Sequence, residues 1–183
     1  MLERVFYDSV TLIHLAGMGQ LELLEKVHGN RPEPRWVAAV EKEILAGESK
    51  HATSVQIKNF SWLGEAIELD DEIEMLQVTQ LQNILRAPAD KTEMHLGECQ
   101  SIIAAKKFQG FFVTDDQSAY DQSARSLYLG NERTLHLCNL LALAQSSGDL
   151  SQARALEIHR ELAKAGRFML CTRKNVDCDF GLS

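Results

Sequence analysis

None of the four cysteines in this chain forms a CxxC pair. Cys99, Cys138, Cys171 and Cys178 are scattered, which argues against a zinc knuckle and reads as reduced, mostly buried thiols. No apolar run approaches the roughly 20 residues of a membrane span. The densest, residues 135–144, is interrupted by His136 and Asn139. The N-terminus places Glu3 and Asp8 where a signal peptide needs basic and then apolar residues, so the expectation is a cytoplasmic protein. Positive charge is also short. A formal net charge of −7 argues against a broad basic surface for gripping nucleic acid, but it leaves room for a nuclease whose clustered acids are offset by bound cations. No GxxxxGK[ST] phosphate loop occurs, and Asp8-Ser9-Val10 lacks the second aspartate of an Asp-x-Asp phosphotransferase.

What is present fits one α/β domain. The chain has 183 residues, 45% apolar and 25% charged, ordinary for a globular protein and short for two domains. Short apolar strands alternate with helical patterns, which predicts a mostly parallel sheet. Strands are expected at residues 4–8, 36–37, 63–69, 111–113 and 127–129, with helices between them. Ser9 is a candidate N-cap for the first helix. Residues 48–61 are polar and ambiguous. A helix from Asp70 and Asp71 to about Arg86 is expected to turn Ile73, Leu76, Leu81, Ile84 and Leu85 inward. The globular unit is expected over residues 1–166. A tail over 167–183 would carry a short strand at 168–171 and then fray.

The chain is organised around residues 95–116, HLGECQSIIAAKKFQGFFVTDD. Leu96, Cys99, Ile102, Ile103 and Phe108 recur at helical steps, Gly110 is a plausible terminator, and Phe111, Phe112 and Val113 form a short buried strand. The strand runs into Asp115 and Asp116. In an open parallel sheet, ligands sit just beyond the carboxyl ends of the strands. Asp8 ends the first strand, Glu43 lies early in a helix, and Glu98 follows Gly97 at the start of the central helix. Strand ends and helix starts share one edge, so these acids can converge. Converging carboxylates repel and raise one another's pKa unless a cation sits among them. Oxygen-only ligation suits Mg²⁺ or Mn²⁺. A pair of such ions can activate a water and stabilise the leaving oxygen of a phosphodiester.

Each acid also has a plainer reading. Asp8 caps a helix, Glu43 is a solvated helix residue beside Glu41, Glu98 is a first-turn acid, and Asp115 with Asp116 forms a turn and N-cap. His95 and Cys99 have ligand spacing on one helix but no evident third ligand, so packing is preferred. Lys106 and Lys107 favour a helix C-terminus, and Trp36 and Trp62 belong in the core.

Four pieces, YDSVTLIHLAGMGQLELL, VEKEI, HLGECQSIIAAKK and FFVTDDQSAY, occur in an order and at distances that resemble the PIN-domain family. The resemblance spans roughly residues 4–165 and implies a three-layer α/β/α sandwich. It makes Asp8, Glu43, Glu98 and Asp116 the metal-binding acids, with Asp115 the alternative to Asp116. Ser118 stands where many members carry a further acid. Thr114 and Ser9 become neighbours that orient water or a carboxylate. The resemblance further implies a Mg²⁺- or Mn²⁺-dependent endoribonuclease acting on RNA. It extends to a toxin held by a small antitoxin and assembled as a homodimer. The alternative it leaves open is a catalytically inactive PIN-fold module that binds nucleic acid or protein.

Overall fold

The computed structural model describes residues 4–28, 33–48, 51–87 and 94–164. Its sheet has three parallel strands in the order β1-β2-β3: β1 Val5–Tyr7, β2 Phe111–Val113 and β3 Thr134–Leu135. The backbone of Arg35 extends the sheet past β1, accepting from Tyr7 N at 3.0 Å. Beyond it, Val37 forms a single parallel bridge with Ile67. Val5, Phe6 and Tyr7 are all buried, as strands covered on both faces must be.

The helices are α1 Ser9–Gly17, α2 Glu22–His28, α3 Ala38–Ala46, α4 Ala52–Lys58 and α5 Glu72–Leu85. They continue with α6 Leu96–Lys107, α7 Gln117–Ser123, α8 Leu137–Ser146 and α9 Gln152–Lys164. The central helix α6 packs on β1 and β2 and against α3 and α5, while α8 packs on α2 and α9. The chain therefore has the expected α/β architecture, parallel strands enclosed by helices. Among the described residues no helix is long and apolar enough to cross a membrane. Trp36 and Trp62 are both in the core.

Several expectations need correcting. The third strand is Thr134–Leu135, not 127–129. Residues 125–130 close on themselves, with Tyr128 N and Gly130 N both donating to Arg125 O. Leu127 is 69% exposed, so its apolar character marked no strand. Residues 63–69 are not a strand either. Ser61–Leu63 is a 3-10 turn, Gly64 follows at φ +70°, and only Ile67 pairs. The ambiguous residues 48–61 contain α4, whose buried members are only Ser54 and Ile57, too few for a clear apolar period. In α5 the stripe facing inward is narrow. Val78 and Leu81 are buried, whereas Ile73, Leu76 and Ile84 are 66%, 58% and 53% exposed. Cys138 is disulfide-bonded, which corrects the expectation of reduced thiols, and Cys99 is free and buried. The expected strand at 168–171 and the tail lie outside the described residues.

The end of α6 has a different cause from the one expected. Gln109, not Gly110, takes the left-handed conformation, at φ 53°. Gly110 is required by proximity, because a Cβ there would lie 2.5 Å from the Arg4 carbonyl oxygen. That contact lets β2 enter the sheet beside β1, with Phe111 N donating to Arg4 O at 2.7 Å.

Candidate active site

The sheet register brings the acids together. Val5 pairs with Phe111, Phe6 with Phe112 and Tyr7 with Val113, so β1 and β2 end level. The next residues, Asp8 and Thr114, therefore face each other. Thr114 Oγ1 donates to Asp8 Oδ2 at 2.5 Å and accepts from Asp116 N at 3.0 Å. One hydroxyl ties the end of β1 to the turn after β2.

Asp8, rather than Ser9, is the N-cap of α1, its Oδ1 accepting from Thr11 N at 2.7 Å. Asp116 caps α7 in the same way, accepting from Ala119 N at 2.8 Å. The plain capping reading is thus correct for both residues. It does not consume them, because each cap uses a single carboxylate oxygen.

Glu43 and Glu98 come from helices. Glu43, in the middle of α3, accepts from Ser9 Oγ at 2.7 Å and from Gly97 N at 3.2 Å. A Cβ on Gly97 would lie 2.7 Å from Glu43 Oε1, so the glycine is what lets this carboxylate reach the start of α6. Glu98 stands in the first turn of α6, its side chain 14% exposed and 3.7 Å from His95 Nδ1.

The electrostatics show that the four carboxylates share one region. Burial pushes Glu98 up to about 8, with further increments from Asp8, Glu43 and Asp116. Burial also raises Asp8 to about 6, opposed by its hydrogen bonds from Thr11 and Thr114 and reinforced by Asp115. Asp116 is half-buried and repels charge on Glu98, while Asp115 is buried. Asp115 Oδ1 accepts weakly from Leu137 N at 3.4 Å, and Oδ2 lies 3.8 Å from His14 Nδ1. The two aspartates therefore occupy different places: Asp116 beside Glu98, Asp115 between Asp8 and His14. Ser118 is exposed on α7.

The sequence reading overlooked two residues at this edge. Gly97 was noted only as the start of a helix. His14 carried no signal in the sequence, because no spacing links a histidine on α1 to Asp115. By contrast, the His95–Cys99 spacing leads nowhere: Cys99 is fully buried and burial raises its thiol pKa well above the usual value.

Comparison with known proteins follows the same lines. A family model described as a PIN domain matches residues 4–169. The chain belongs to the PIN-domain family. No curated protein and no solved structure matches it. PIN domains are generally nucleases and typically use divalent metals. Among the described residues, no three His, Cys, Asp or Glu side chains are gathered closely enough to hold one ion together. The donor chemistry nevertheless fits a hard divalent cation, since the cluster is all carboxylate and its members raise one another's pKa. Mg²⁺ is commonly held by one or two carboxylates and several waters, which asks for less than a ready-made cage.

Proposed function

We propose that this PIN domain is a Mg²⁺- or Mn²⁺-dependent endoribonuclease. The observation that supports it most is the level ending of β1 and β2, which sets Asp8 against Thr114 and Asp116 while α3 and α6 deliver Glu43 and Glu98 to the same edge. Asp8, Glu43, Glu98 and Asp116 would hold the cation, with Asp115 assisting as a further buried carboxylate. When bound, such an ion supplies Lewis acidity and lowers the pKa of water.

The chain's own residues do the rest. Thr114 holds Asp8 Oδ2, and Ser9 with Gly97 N holds Glu43, so two carboxylates are aimed before any ligand arrives. Burial and the neighbouring carboxylates push Glu98 up to about 8, so near neutral pH it would carry a proton to be given up on holding a cation. Cleavage by in-line attack of water would leave a 5′-phosphate and a 3′-hydroxyl. The toxin role, with an antitoxin and a homodimeric state, is a finer reading that rests on the family alone. A short upstream gene for a small DNA-binding protein would favour it.

The second reading, an inactive PIN-fold binding module, is favoured by Ser118 and by the absence of three closely gathered ligands among the described residues. Structured RNA incubated with the purified protein and Mn²⁺ separates the two. Cleavage by the parent but not by Asp8→Asn or Glu98→Gln supports the nuclease. Equal cleavage by the variants sinks the site, and no Mn²⁺ binding by calorimetry near pH 7 selects the module.

A further inference from the structure

Negative charge is spread unevenly along this chain. Between Lys58 and Arg86 there are six acids, Glu65, Glu68, Asp70, Asp71, Glu72 and Glu74, and no lysine, arginine or histidine. That stretch carries −6 of the net −7, leaving 20 acids against 19 bases elsewhere. Lys107, at the end of α6, pairs with Glu74 at 2.8 Å and feels the charges of Asp70 and Asp71. Asp71 is committed to capping α5. The side chains of Glu65, Glu68, Asp70 and Glu72 are exposed and make no hydrogen bond or ion pair among the described residues.

The same segment holds an exposed apolar stripe. Ile73, Leu76 and Ile84 fall within a sector of about 80° around α5, with the exposed Gln80 between them. Val78 and Leu81 are the buried positions of this helix, which packs on α6. An exposed apolar residue standing singly, as Leu127 does, needs no explanation. Three along one helix face, flanked by uncommitted carboxylates, do. This face is separate from the candidate active site. Lys107, beside its acidic end, is nine residues along α6 from Glu98, about 14 Å at the helical rise.

We propose that the outer face of α5 docks a basic amphipathic helix of another protein. Its apolar ridge would cover Ile73, Leu76 and Ile84, and its lysines or arginines would meet Glu68, Asp70 and Glu72. Charge decides the class of occupant. A stretch without a base repels nucleic acid and anionic lipid surfaces. A second copy is poorly matched. Laid parallel, it sets acids against acids, and laid antiparallel, it brings only Arg86 from the far end of α5. A basic amphipathic helix answers the stripe and its flank together. This surface is independent of the nuclease reading.

Fluorescence anisotropy with the full chain tests the proposal. The probe is a labelled helical peptide with leucines at heptad spacing and lysines on the flanking positions. One control carries glutamate for every lysine, and another has the leucine–lysine composition scrambled. The periodic lysine peptide should bind at least about tenfold tighter than either control, and its affinity should fall as salt rises. Leu76→Ser should weaken it about tenfold or more, the scale of one leucine burial. Ile84→Ser repeats that test at the other end of the stripe. Glu68→Gln with Glu72→Gln should weaken binding several-fold and flatten the salt dependence. Leu127→Ser should change nothing. Circular dichroism melts confirm that the variants fold. Equal binding of the three peptides, or parental binding by both serine variants of the stripe, overturns the proposal. So does a parent that sediments as a dimer and is dissociated by Leu76→Ser, because a second copy then holds the face.

Discussion

Glu98→Gln should stabilise the protein in the absence of metal, and increasingly so as pH rises. Glu98 has a carboxyl pKa near 4.5 when unfolded and about 8 in the fold, because burial and three neighbouring carboxylates oppose its charge. A raised folded-state pKa means that the native state holds the proton more tightly than the unfolded chain. Stability is therefore highest below about pH 4.5 and declines as pH rises toward 8, where the loss levels off. At about 1.4 kcal/mol per pH unit, the loss reaches on the order of 3 kcal/mol by pH 7 and 4–5 beyond pH 8. Glutamine keeps the shape and removes the titration. Urea unfolding in EDTA should give a Glu98→Gln advantage that is small at pH 4.5 and a few kcal/mol at pH 8.5. The same substitution should abolish much of the stabilisation that Mn²⁺ gives the parent. An advantage that is flat with pH, or a glutamine variant less stable than the parent at pH 8.5, would refute the assignment of Glu98 to a mutually repelling cluster.

Other perturbations probe the same edge. Gly97→Ala should leave stability unchanged or slightly higher, since alanine favours helix by up to about 1 kcal/mol, while RNA cleavage falls at least about tenfold as the new methyl displaces Glu43. Retained cleavage would show that Glu43 need not approach α6. Thr114→Val should cost about 1–3 kcal/mol by denaturant melt, leaving a buried Asp8 oxygen without its donor. No loss would mean that the contact is replaced. Asp8→Asn should keep the fold, because asparagine also caps helices, and should lose RNA cleavage in a gel assay. A variant that unfolds at ordinary temperature, or that cleaves at the parental rate, would refute this expectation.

How far the sequence could be read depended on distance along the chain. The four acids were legible because each follows a local signal: a strand end, a helix start or a glycine. Their separate neighbourhoods were not, because Asp115 and Asp116 differ only in which way a turn sends them, and that is set by Thr114 bonding both Asp8 and Asp116 N. The third strand was misplaced because two residues, Thr134 and Leu135, are too few to show an alternating period, while Leu127 looked apolar and lies in a turn. The inward face of α5 was drawn too wide for a similar reason. Its apolar residues outnumber those that one neighbouring helix can cover.

The caps on α1 and α7 divide the cleft into two kinds of wall. Asp8 and Asp116 each spend an oxygen on a helix end, so their positions are set by backbone and can shift only if a helix shifts. Glu43 and Glu98 reach in on longer stems from α3 and α6, and neither is anchored by a cap. Were the site to take an ion, adjustment to its size would fall first to Glu98, because Ser9 and Gly97 N already hold Glu43. Exchanging Glu98 for aspartate would therefore shorten the wall that adapts, whereas lengthening either aspartate would disturb the wall that a helix end fixes.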